Sequence, residues 1–155
     1  MYRRPIVPPD FAVPDGFATP EFVARMLTIH DVVKDFDAVM TSVERLLGLM
    51  DDSGWPVGLT LEDNLIDLAW HQREFTIRHS FAYTVQTPDQ RRALGCCYIN
   101  PGSTAAAEVD AFYWVRSSEA ASGLDQRLGA AFRTFLAMRW PFRSVSFPRR
   151  DTSSI

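Results

Sequence analysis

Residues 108 to 147 constrain the fold of this chain more than any other stretch. They read as a strand loaded with apolar side chains (108–116), a short loop (117–122), an amphipathic helix (124–139) and a second strand (143–147). A strand that feeds a helix and returns to the same sheet makes a right-handed crossover, with its two strands parallel. It leaves the free N–H groups of the first helical turn pointing at the crevice above the strand ends. Those groups carry partial positive charge, so such crevices receive phosphates. Phe112, Tyr113, Trp114 and Val115 load both faces of the first strand, which is therefore expected to be central and covered on two sides.

A length of 155 residues fits one domain with a sizeable core. The division expected is a proline-rich extended arm at 1–20, a single domain at 21–148 and a tail at 149–155. A net charge of -3 argues against a broad nucleic-acid-binding surface. Lys34 is the only lysine, an arginine bias attributed to genome composition. Cys96 and Cys97 are neighbours and point to opposite faces if they lie in a strand, so they read as small buried hydrophobes in a reducing compartment. No apolar run has membrane-spanning length, and Pro8, Pro9 and Asp10 break up the stretch after the N-terminal arginines, where a signal peptide would carry its apolar core. A cytoplasmic location with no membrane partner is the expectation.

Pro5, Pro8, Pro9, Pro14 and Pro20 preclude a helix in the arm, which Phe11 and Phe17 are placed to pin down. A strand is expected over 22–29. A helix comes next, over 31–47, with Val32, Val33, Phe36, Val39, Met40, Val43, Leu46 and Leu47 drawing one stripe, Asp31 as N-cap and Gly48 as the stop. Thr60-Leu-Glu-Asp63 has capping-box spacing and opens a second helix, with Leu61, Leu65, Leu68, Ala69 and Trp70 as core contacts. Residues 80–87 and 94–99 form a hairpin turned at Pro88. The order is strand, helix, helix, three strands, helix, strand. It implies an α/β (α+β) architecture: a mixed, mostly antiparallel sheet with helices on both faces.

That order over residues 22–148 resembles the Gcn5-related N-acetyltransferase (GNAT) superfamily. The pieces that carry the resemblance are the paired helices after the first strand, the hairpin with Leu94-Gly95-Cys96-Cys97, and Phe112-Tyr-Trp-Val115 leading into the helix. The resemblance implies an acyl-CoA-dependent N-acyltransferase, with acetyl-CoA or another acyl-CoA as co-substrate, no metal, and a small-molecule or peptide amine as acceptor. It places the cofactor against Trp114, Val115 and Arg116 at the strand end and against Ser122, Gly123 and Leu124 at the loop. The family's phosphate loop, Gln/Arg-x-x-Gly-x-Gly/Ala, is only partly present: counted from Val115 it falls on Ala120 to Asp125, and Gly123 alone matches. The family's closing hairpin, with its tyrosine proton donor, has no counterpart after residue 147. The expectation is that a partner subunit completes this side of the site, in a homodimer through the C-terminal strand edge.

Two readings of the loop stay open. Ser122-Gly-Leu-Asp125 also has capping-box spacing, so Asp125 satisfies the helix's own N–H groups in one reading and turns away from a bound phosphate in the other. The first reading leads to a non-catalytic binding or assembly protein of the same fold that has lost its cofactor. Arg116 and Arg127 read as solvated surface arginines, and Gly129 as a point of close packing on the sheet. Of the acids beside the central strand, Glu108 is taken as the candidate base, with Asp110 at the alternate position. His71, Glu74 and His79 read as a polar helix-end cluster rather than a metal site.

Overall fold

The computed structural model describes residues 4–150. In chain order the elements are β1 (Gly16–Ala18), β2 (Val23–Met26), a 3-10 turn (Ile29–Asp31), α1 (Val32–Met40), α2 (Val43–Leu46), α3 (Leu61–Thr76), β3 (Phe81–Gln86), β4 (Ala93–Pro101), β5 (Val109–Val115), a second 3-10 segment (Ser117–Ser122), α4 (Leu124–Arg139) and β6 (Val145–Ser146). The six strands lie in one sheet in sequence order. Each neighbouring pair is antiparallel except β5–β6, which is parallel across the α4 crossover.

Every residue of β5 is buried, as its two-sided loading requires. Val109, Ala111, Tyr113 and Val115 pack on the α4 side with Leu128, Phe132 and Phe135. Phe112 and Trp114 point the other way, into a layer with Leu27, Val39 and Leu68 from the side of α1 and α3. Cys97 belongs to the first layer and Cys96 to the second, as strand alternation demands. The arm is pinned as expected: Phe11 packs on Trp140 with ring centroids 5.5 Å apart, and Phe17 on Phe135 at 4.5 Å. The proline-rich arm also contributes β1, which pairs with β2.

Two glycines set how tightly β5 is gripped. A Cβ at Gly129 would lie 2.4 Å from the Tyr113 hydroxyl, so α4 rests on the strand as close packing predicts. A Cβ at Gly95 would lie 2.0 Å from the Trp114 carbonyl oxygen, which makes β4 and β5 an unusually close pair.

The helix expected over 31–47 is broken at Thr41–Ser42 and rotated. Its buried residues are Asp31, Asp35, Ala38, Val39, Ser42 and Leu46, whereas Val33 and Leu47 of the expected apolar stripe are exposed. Hydrogen bonds turn the polar residues inward: Arg25 pairs with Asp31 at 2.7 Å, Asn64 donates to Asp35 at 2.9 Å, and the Ser117 N–H donates to Ser42 at 2.9 Å. Along α3 the capping box forms, but of its expected core contacts only Leu68 is buried. Leu61, Leu65, Ala69 and Trp70 are exposed, and Asn64 and Glu74 point inward instead. Polar side chains thus occupy inward positions on both helices of this face.

Candidate active site

The strands β5 and β6 pair only at Val109–Val145 and Asp110–Ser146. Beyond that apex they part, leaving a cleft along the C-terminal half of β5. Backbone groups of successive residues point to opposite sides of an antiparallel strand. The Arg116 N–H donates to Leu94 O at 2.7 Å, so Trp114 and Arg116 face β4, and Tyr113 and Val115 turn their backbone groups into the cleft. Among the described residues no strand takes up those two carbonyls. Arg150 donates to Tyr113 O at 2.6 Å, and Arg45 to Val115 O at 3.1 Å. Both guanidinium groups converge on Asp125 in the first turn of α4, Arg150 at 2.5 and 3.0 Å and Arg45 at 3.3 Å. Arg150 also lies 3.9 Å above the Tyr113 ring, in cation–π geometry.

This arrangement corrects the capping-box reading of the loop. The N-cap of α4 is Gly123, whose φ of 80° is the left-handed region that glycine tolerates. The Ser122 hydroxyl accepts from the Leu124 N–H at 3.3 Å and donates to Glu119 O. Asp125 is a partner of arginines, not of the helix's N–H groups. Arg149 and Arg150, assigned from sequence to the tail, are held in place: Arg149 donates to Gly48 O and pairs with Asp52, and Arg150 pairs with Asp125. The rest of the expected tail, 151–155, lies outside the described residues.

The sequence-derived site residues separate into two groups. Val115 presents its carbonyl to the cleft, and Ser122, Gly123 and Leu124 form the turn at its rim. Trp114 and Arg116 turn to the opposite face. The Trp114 indole donates to the Tyr98 hydroxyl at 3.1 Å. Arg116 is not a solvated surface residue: it is buried, and ties β5 to α1 through Ala93 O, Asp37 and Thr41. Arg127 is exposed, as expected, and clasps Glu21. Glu108 is exposed at the start of the strand and accepts from the Arg143 N–H at 2.9 Å.

On the α3 face there are two cavities, of which the larger opens beside β5. The larger, about 930 Å³, is lined by Asp110 and Phe112 of β5, by Asn100 and Ser103, and by Trp70. Asp110 is buried and accepts from the Ser103 N–H at 3.0 Å. The smaller cavity, about 270 Å³, lies between α1 and α3 and shares Trp70 with the first. Its wall includes Asp35, Asn64, Asp67, His71 and Tyr98. Burial pushes the Asp35 carboxyl up to about 6 despite its hydrogen bond from Asn64, and nearby Asp31 and Asp67 add to the rise. Burial also pushes His71 down to about 4, so its ring is neutral at pH 7. Both cysteine thiols are raised by burial, which removes thiolate nucleophiles from this region.

The sequence reading missed Arg45, Arg150, Asp35, Asn64 and Asp67. Asp31 and Asp35 are one helical turn apart, as are Asn64, Asp67 or Leu68, and His71. That i, i+3/i+4 spacing was the available signal that polar residues share a face. His79 pairs with Glu74 at 3.3 Å, while His71 stands apart and packs against Tyr98 and Trp70.

No protein-family model and no curated protein sequence matches the chain. Solved structures do. The microcin C7 self-immunity acetyltransferase MccE, solved with acetyl-CoA and AMP, superposes with a TM-score of 0.63 at 10% identity, over 83% of this chain and 71% of that one. The ribosomal L7/L12 α-N-protein acetyltransferase RimL gives 0.63 at 17% identity, over 82% and 70%. The ribosomal-protein-S5-alanine acetyltransferase of Vibrio fischeri gives 0.59 at 12%, over 79% and 67%. At these identities the likeness is one of architecture, and with the splayed parallel pair and the α4 crossover it establishes that this chain has the fold of the Gcn5-related N-acetyltransferases.

Proposed function

We propose that the protein is an acyl-CoA-dependent N-acyltransferase that carries an acyl group, acetyl in the simplest case, to an amine. The observation that carries this reading is the parting of β5 and β6 after two residue pairs, with a cavity on the far side of the same strand. A pantetheine arm laid in the cleft would lie along the edge of β5 where a next strand would be, and would have to displace Arg150 and Arg45 to reach the Tyr113 and Val115 carbonyls. Ser122, Gly123 and Leu124 would border its diphosphate, and Trp114 and Arg116 would hold the strand end in place from behind. The neighbours solved with acetyl-CoA or coenzyme A support the choice of cofactor.

The acceptor amine would enter from the α3 face and attack the thioester carbonyl; its proton would pass to a carboxylate at the start of β5, the C–S bond would break, and coenzyme A would leave as a thiolate that takes a proton from water. Glu108 is the candidate from sequence. Its carboxylate is engaged by the Arg143 N–H and lines neither cavity, whereas that of Asp110 lines the larger one, so we assign the base to Asp110. A homodimer through the edge of β6 would widen the wall of the cleft, and sedimentation of the chain as a monomer in the presence of acetyl-CoA would remove it from the proposal.

Thermal melting with and without acetyl-CoA tests the central claim. At one hundred times the dissociation constant the complex gains about 2.7 kcal/mol, which moves the midpoint by several degrees in a chain of this size. An unmoved midpoint at millimolar acetyl-CoA overturns the assignment. Asp110→Asn is expected to lower kcat by about a hundredfold with acetyl-CoA affinity retained, and Glu108→Gln to leave kcat within a few fold.

A further inference from the structure

The small cavity between α1 and α3 holds polar groups for which acyl transfer at β5 has no use. We propose that it anchors the ammonium group of a small-molecule amine, with Asp35 and Asp67 as counter-charges and Trp55, Trp70 and Tyr98 as the walls.

Asp35 is the strongest pointer. Its residue is only 4% exposed, yet it lines the cavity. Asn64 satisfies one carboxylate oxygen, Oδ2, and among the described residues nothing donates to the other. That second oxygen is not sealed from the cavity space, while burial of the residue as a whole disfavours its charge. The neighbouring ring of His71 has no hydrogen-bond partner among the described residues and packs against Trp70 at 5.1 Å and Tyr98 at 5.4 Å between ring centroids. Asp51 and Asp67 add two more carboxylates to the wall, and among the described residues no lysine or arginine lines it. Asp51 is committed to Ser53, leaving Asp35 and Asp67 for a ligand. The sign of the site is therefore negative, and its aromatic sides suit an alkylammonium, whose charge is attracted to ring faces.

Size and position narrow the class. A volume of about 270 Å³ is below the range of drug-sized pockets and takes a short chain, not a folded polypeptide. No β5 residue lines this cavity, so the nitrogen anchored in it is not the one that reacts. The cavity adjoins the larger one at Trp70, and the larger one reaches Asp110 and Phe112. With Trp70 lining both spaces, a substrate with one amino group anchored beneath α3 and a second at Asp110 would have to span the two, and we assign it to the class of short diamines. The assignment of the reacting end rests on the acyltransferase reading; the preference of the anchoring cavity for a cation does not.

The test is a titration of the full chain with 1,4-diaminobutane, n-butylamine and 1-butanol, tracked by the indole N–H resonances of its tryptophans. Both amines are expected to shift the Trp55 and Trp70 signals saturably and to leave Trp140 unmoved, and 1-butanol to do nothing. Asp35→Asn is expected to weaken the amines by about tenfold or more, the loss of a charge-assisted hydrogen bond. Asp67→Asn, on the more open side, gives a smaller loss and serves alone if the first variant does not fold. Equal shifts with the alcohol, no shift at millimolar amine, or wild-type binding by the variants would overturn the site. Acetyl-CoA is titrated into the same sample. Acetyl-CoA bound without either amine sinks the anchoring site alone, whereas amine bound without acetyl-CoA upholds the cation site and removes the diamine assignment together with the transferase reading.

Discussion

The two sides of β5 treat their polar groups in opposite ways. In the cleft, the carbonyls of Tyr113 and Val115 and the carboxylate of Asp125 are all engaged by Arg45 and Arg150. Beneath α3, Asp35 keeps an oxygen without a donor, and His71 is neutral and makes no hydrogen bond among the described residues. A closed set of ion pairs stabilises the empty protein and must be opened by whatever enters. A half-satisfied carboxylate costs stability in the empty protein and recovers it only with a ligand. On the proposed reading the contrast assigns different parts to the two regions: an anion entering the cleft would have to displace its ion pairs, and the cavity would take a cation.

The largest effect expected concerns the wall that both regions share. Gly95→Ala would press a methyl group onto the Trp114 carbonyl at 2.0 Å, where backbone rather than a flexible side chain must move. A loss of about 3 kcal/mol is expected, at the upper end for overpacking, measured by denaturant unfolding. Near wild-type stability would mean that β4 and β5 separate easily, and the rigid partition between cleft and cavity would no longer hold.

The cavity side predicts the opposite sign. The folded-state pKa of Asp35, about 6, lies above its ordinary value, so the folded protein binds this proton more tightly and Asp35 costs stability as pH rises from about 4 to 6. The folded-state pKa of His71, about 4, lies below its ordinary value, so its contribution is complete above about 6.5 and is lost as pH falls toward 4. The two windows overlap and the slopes cancel, so these two groups together leave stability flat between about pH 4 and 6. Asp35→Asn removes one of them. It is expected to raise stability at pH 7.5 by about 2 kcal/mol and to uncover a loss on acidification through His71, read from melting curves across that range. A variant less stable than wild type at pH 7.5 would show that the carboxylate is adequately solvated and owes nothing to a ligand.

What was legible in the sequence depends on which physical signals are local. The strand from Val109 and the helix Leu124–Arg139 stood out because composition and period agree along them. Gly129 was also readable as a point of close packing on the sheet, whereas the close approach at Gly95 was not. The rotation of α1 was not: its apolar stripe is the stronger periodic signal, and only partners distant in sequence (Arg25, Asn64 and Ser117) turn the polar residues inward. The loop misled for a related reason. Ser122 and Asp125 have the spacing of a capping box, but Gly123 takes the cap, and two arginines 80 and 25 residues from Asp125 claim its carboxylate. Short-range rules locate elements; charge partners remote in sequence decide which way their faces point.

The smallest effect expected is the one that bears most directly on the cleft. Asp125 occupies the first turn of α4, where a diphosphate would approach, and its side chain is one-fifth exposed. Like charges about 4 Å apart repel by about 4 kcal/mol at an effective dielectric of 20, and solvent reduces that further at such a site. Asp125→Asn also frees Arg45 and Arg150 to pair with the incoming anion. Acetyl-CoA is therefore expected to bind about three- to tenfold more tightly to Asp125→Asn than to the wild type, by calorimetry at low ionic strength, with the gain shrinking as salt is added. Weaker binding would reverse the comparison between the two regions: Asp125 would then hold the arginines in the orientation the cofactor needs, and the engaged cleft would be a prepared site rather than a closed one.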